Sequence, residues 1–122
     1  MGIDVYLRWD GMTKEEEEAQ YCGFQVDQGR VGYLREAYHG GPYATHVLLP
    51  EGFEAEGEVS IPGKVLLERL PEAISAAIKR AREVYGEEVG EDSPVVRSLK
   101  DFVALALKLE AEGRNPTIYV SY

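Results

Sequence analysis

Residues 3–9 read I-D-V-Y-L-R-W, in which Ile3, Val5, Leu7 and Trp9 alternate with Asp4, Tyr6 and Arg8. A period of two is the repeat of a strand with one buried and one solvated face. The run ends at Asp10-Gly11, a turn pair. Beyond it Thr13, with Glu16 three residues on, has the form of a capping box for a short helix over about Lys14 to Tyr21. At the far end of the chain, residues 117–122 alternate again through Ile118, Val120 and Tyr122, so both termini read as strands.

The second half of the chain has helical periodicity. Ile74, Ala77, Ile78, Ala81, Val84 and Tyr85 recur at three and four residues and stop at Gly86, a suitable left-handed C-cap. Residues 64–70 read as a preceding helix, which Pro71 restarts or kinks. Ser93-Pro94 supplies an N-cap and first-turn pair for the longest helix, residues 94–112, closed by Gly113. Its stripe of Val95, Leu99, Phe102, Val103, Ala106 and Leu109 or Glu110 is widened by Leu105 and Leu107, which predicts contact on two sides. Between the halves, period-two patches at Phe24 and Val26 and at Thr45, Val47 and Leu49 predict two or three more strands. Residues 51–58, E-G-F-E-A-E-G-E, read as an exposed loop, and V-S-I-P at 59–62 as a short edge strand halted by Pro62. Strands at the termini and in the middle with helices concentrated late predict an α+β fold: a small, mostly antiparallel sheet, covered on one face by two or three helices. No repeat or linker divides residues 1–122, so one domain is expected.

Charge narrows the function. Twenty-two acidic against thirteen basic residues give a net charge of -9, a field that repels phosphate backbones and argues against nucleic-acid partners. Few amide side chains and abundant Glu and Arg resemble thermophile composition. One cysteine, Cys22, leaves no internal disulfide and suits a reducing compartment. No apolar run approaches a membrane span and no leader pattern opens the chain, so a cytoplasmic protein is expected. Four consecutive glutamates, Glu15 to Glu18, are accounted for by the positive end of a helix dipole. Lys79, Arg80 and Arg82, balanced by nearby glutamates, read as a solvated helix face.

The segment from Arg30 to His46, R-V-G-Y-L-R-E-A-Y-H-G-G-P-Y-A-T-H, holds both histidines and three of the eight tyrosines. It matches no nucleophile elbow, phosphate loop or zinc signature. If residues 33–39 are helical, Arg35 and His39 lie roughly 6 Å apart and Glu36 adjoins His39. If they form a strand, the pair lies about 13 Å apart and Glu36 does not. Either way a four-residue offset predicts Arg35 and His39 solvent-accessible on the same face of their segment. Gly40-Gly41-Pro42 then makes a turn. The candidate binding residues are Arg35, Tyr38, His39 and Tyr43. In a catalytic reading His39 is a general acid/base, Arg35 an anion clamp and Tyr38 or Tyr43 a hydroxyl donor. Convergence of His39 and His46 on a metal with Asp27 or Glu36, and pairing of Cys22 with His39, lack supporting spacing. No metal and no cofactor are assigned.

Residues 32–45 (G-Y-L-R-E-A-Y-H-G-G-P-Y-A-T), the terminal T-I-Y-V-S-Y and the I-P-G-K-V-L-L-E-R-L-P stretch resemble a family of small proteins of bacteria and their phages. The resemblance implies a stand-alone domain and carries no activity or functional residue. Three functions compete: an acidic binding or regulatory module using the Arg30 to His46 surface for a protein or small ligand, possibly as a homodimer; a small hydrolase- or isomerase-like enzyme built on His39; and an acidic mimic of DNA. A pocket holding His39 beside Arg35 favours the enzyme, a flat aromatic patch the module, and regular carboxylate rows the mimic.

Overall fold

The computed structural model describes residues 2–21 and 28–122. The expectations resting on Cys22, Phe24, Val26 and Asp27 lie outside the described residues. In chain order the elements are β1 (Gly2–Arg8), α1 (Lys14–Tyr21), a 3-10 turn (Gln28–Val31), β2 (Tyr33–Ala37), α2 (Ala44–Leu48), α3 (Glu51–Glu54), α4 (Gly63–Tyr85), α5 (Pro94–Ala111) and β3 (Thr117–Ser121).

The N-terminal strand takes the centre of an antiparallel sheet ordered β2-β1-β3. This is the expected α+β arrangement. Its alternation holds to the residue: Ile3, Val5 and Leu7 are fully buried, while Asp4, Tyr6 and Arg8 are only partly so. Leu34 of β2 and Ile118 and Val120 of β3 join them on the inner face. Against that face pack Leu66, Ala73 and Ala77 of α4, Leu48 of α2, and Leu99, Phe102, Val103 and Ala106 of α5. Phe102 is wholly buried.

α5 is contacted on two sides, as its wide apolar stripe predicts: α4 lies along one and the 3-10 turn along the other. The turn approaches so closely that a Cβ built on Gly29 would stand 1.9 Å from the Ser98 carbonyl oxygen. The stripe begins at Val96, not Val95, which is exposed. Ser93 occupies the N-cap position, but its hydroxyl makes no capping bond. Gly86 and Gly113 take the left-handed conformation expected after α4 and α5.

Four local expectations are corrected. Residues 45–49 are not a strand; α2 forms there because the Glu36 carboxylate accepts the Ala44 and Thr45 N–H groups at 2.9 and 2.8 Å, acting as an N-cap delivered from β2. The first half of the acidic 51–58 loop is α3, fastened by a two-pronged Arg69–Glu51 pair at 2.7 and 2.8 Å. The edge strand at 59–62 reduces to Val59, which exchanges two hydrogen bonds with Ile118. Finally, residues 63–85 form one helix running through Pro71. The proline forfeits its bond to the Leu67 carbonyl, and both residues face solvent, where water can satisfy that oxygen.

Candidate functional site

The segment from Arg30 to His46 is divided between two sides of the sheet. Residues 33–37 form β2, which selects the strand alternative and removes the predicted Glu36–His39 contact. Tyr33 and Arg35 project outward, paired across the strands with Tyr6 and Asp4. Glu36 projects inward beside Ile3 and is 7% exposed. The strand ends at Ala37, so His39 lies beyond the regular lattice that was to keep it beside Arg35.

On the outer face, Tyr6 is surrounded by tyrosines: Tyr33 at 5.3 Å, Tyr21 of α1 at 5.5 Å and Tyr119 of β3 at 6.3 Å between ring centroids. Asp4 Oδ1 accepts hydrogen bonds from the Tyr33 hydroxyl and, at 2.6 Å, from Arg35. Burial, reinforced by that bond to a carboxylate, pushes the Tyr33 phenol up to about 12. The Tyr6 phenol is also raised, chiefly by burial and then by Asp4. Arg8 donates to the Tyr21 hydroxyl at 3.0 Å and pairs with Glu17 at 3.5 Å, tying α1 to the margin of this face. The result is a cluster of tilted and stacked tyrosine rings flanked by two guanidinium groups, each matched by one carboxylate.

Tyr38, His39 and Tyr43 lie together on the helical side. Tyr38 meets Tyr43 edge-on, and the His46 ring stands between Tyr43 and Phe53. Arg80 of α4 organises this cluster. It donates through Nε to the Gly40 carbonyl at 2.7 Å and through Nη2 to the Ala37 carbonyl, and its guanidinium lies over the rings of Tyr43 and Tyr85. Nη1 approaches Glu36 to 3.9 Å. Arg80 Nη2 also donates to the Tyr85 hydroxyl at 3.4 Å, and that hydroxyl is hydrogen-bonded to His39 Nδ1 at 2.9 Å.

The structure therefore brings three of the four predicted residues together and places Arg35 on the opposite face. His39 and His46 do not converge: one packs on Tyr85, the other on Phe53. Among the described residues no three His, Cys, Asp or Glu side chains gather as a metal set. Sequence reasoning missed Arg80 and Tyr85, placed on a solvated face and in a helix stripe. It also missed the tyrosine patch, although Tyr6 and Tyr119 occupy outward register positions where polar residues are expected. Compared with family models, curated proteins and solved structures, the chain matches none.

Proposed function

We propose that the protein is a binding module whose working surface is the outer face of the sheet, and that it engages another protein through exposed Tyr21, Tyr119 and Arg35, backed by half-buried Tyr6 and buried Tyr33. The packing of Tyr21, Tyr33 and Tyr119 around Tyr6 on the outward side of the sheet carries this reading. Tyrosine and arginine are the side chains on which interface energy concentrates. Rings already held by their neighbours lose little further freedom on binding. The catalytic alternative lacks support, because Arg35 and His39 engage separate partners, Asp4 and Tyr85.

Charge defines the partner. The patch itself is balanced, Arg35 against Asp4 and Arg8 against Glu17, while the chain as a whole carries -9. An apolar or aromatic centre bordered by Lys and Arg complements both. Three strands of about five residues span only about 14 by 17 Å, less than a standard interface of about 800 Å² per partner. The contact must therefore extend onto the acidic flank around Glu17.

A photo-crosslinking residue at Tyr119 in the native host should give a discrete protein adduct that the same residue at exposed Lys100 on α5 does not. The purified partner should then bind at least about 10-fold more weakly to a Tyr21→Ser/Tyr119→Ser variant, and more weakly as salt rises. Identical adducts from both positions, or unchanged affinity in the variant, would defeat the reading.

A further inference from the structure

Arg80 is 8% exposed, yet it is incompletely used. Its Nε and Nη2 hydrogens are taken by Gly40, Ala37 and Tyr85. Nη1 makes no hydrogen bond among the described residues and stands 3.9 Å from Glu36 Oε2. That carboxylate is already occupied by the Ala44 and Thr45 N–H groups and the Thr45 hydroxyl. Arg80 and Glu36 both line a cavity of 140 Å³ between β2, α4 and the start of α5, and its apolar walls are Ala77, Ala81, Val89 and Val95. Tyr85 and Glu87 complete the lining, and the Tyr85 hydroxyl is already engaged by His39 and Arg80, which leaves Nη1 as the donor without a partner. A cavity of about 150 Å³ accepts one six-membered ring.

Charge excludes most occupants. An anion reaching Nη1 meets Glu36 and, at the rim, Glu87. A cation meets the guanidinium itself at short range, and the Glu36 carboxylate is already engaged by three donors. A neutral oxygen acceptor satisfies Nη1 without burying a second charge. We propose that this cavity is a binding site for a small uncharged molecule that presents a carbonyl or amide oxygen to Arg80 and an apolar ring or short chain to the walls. The site lies on the helical side of β2 and stands independently of the protein-binding face.

The test uses four probes of similar size, titrated into the full chain and followed by the methyl NMR signals of Ala77, Ala81 and Val89: benzamide, toluene, benzoate and benzylamine. Benzamide should give saturable shifts with a dissociation constant of about 1 mM. Toluene, which lacks an acceptor, should bind about 10-fold or more weakly, and the two charged probes should not saturate. Filling the cavity with Ala81→Leu should abolish the benzamide shifts. Should that variant fail to fold, Val89→Phe, placed in the connection after α4, decides the matter. The proposal is overturned if benzamide gives no saturable shift, if toluene equals it, if benzoate binds more tightly, or if binding survives filling.

Discussion

The sheet carries a carboxylate–arginine pair on each face, made from similar parts. Outside, Asp4 holds Arg35 at 2.6 Å and accepts the Tyr33 hydroxyl. Inside, Glu36 faces Arg80 at 3.9 Å and accepts three donors from the start of α2. Arg35 and Asp4 side chains retain 33% and 20% of their exposure, whereas Arg80 and Glu36 retain 9% and 8%. Water screens the first pair, so its closer contact does little for stability. The second pair is desolvated and must be complete, since either charge left alone would be buried without compensation. Shorter distance does not identify the more important ion pair; burial and the number of backbone groups it terminates do.

The sharpest way to break this contrast is to remove Glu36. Glu36→Ala should destabilise the fold by about 3 to 5 kcal/mol, because it strands Arg80 and uncaps α2 together. Urea titration measures the effect, and a loss below about 1 kcal/mol would show the inner pair to be as dispensable as an exposed one. Replacing both members with apolar residues, Glu36→Leu/Arg80→Met, should recover part of that loss, since no unpaired charge then remains.

Thr13 offers a smaller effect of the same kind. It caps α1 from within the adjacent sequence: Glu16 N–H donates to the Thr13 hydroxyl at 3.1 Å and Thr13 N–H to the Glu16 carboxylate at 2.9 Å. Thr13→Ala should cost about 1 kcal/mol, well under the effect at Glu36, because no buried charge is left behind. Equal losses at the two caps, measured by the same titration, would remove the distinction between a local and a tertiary cap.

These two caps also show what the sequence can disclose. α1 is legible to its last residue because its cap, its turn pair and its acidic first turn are all local. α2 is illegible because its cap arrives from another element, and Thr45, Val47 and Leu49 imitate a strand. Glu36 hides for a related reason: a glutamate in a five-residue strand reads as solvent-facing unless its distant partner, Arg80, is known. Arg80 in turn sits among Lys79, Arg82 and acids that justify a solvated face. The β1 alternation discloses which way Tyr6 points but not that Tyr21, Tyr33 and Tyr119 meet it. The offset joining Arg35 to His39 fails because β2 ends at Ala37, between them.

A still smaller change should follow from that separation. Arg35→Ala/His39→Ala removes two exposed side chains with unrelated partners, so stability should stay within about 1 kcal/mol of wild type. The two single losses should also add, since residues without shared partners rarely couple. A coupling energy above about 0.5 kcal/mol in a double-mutant cycle would mean that the two faces communicate.

The most delicate prediction concerns Tyr33 and leaves stability near neutral pH almost untouched. Its phenol is raised from 10.0 to about 12, first by burial and next by its bond to Asp4. A raised phenol stabilises the fold in its protonated form. That contribution is complete below pH 10 and disappears as pH rises from about 10 to about 12, where the folded-state group ionises. Absorbance titration should therefore show one phenol ionising near 12, above the 10.0 of an unperturbed tyrosine. The neighbours pull in opposite directions, Asp4 raising the value and Arg35 lowering it. Asp4→Asn should move this transition down without restoring the ordinary value, because burial persists. Arg35→Ala should move it up, because the Asp4 charge then acts on the phenol without its guanidinium counterweight. Shifts of the same sign in both variants would mean that the two residues act on Tyr33 through packing alone, and the outer pair would lose its electrostatic role beside the inner one.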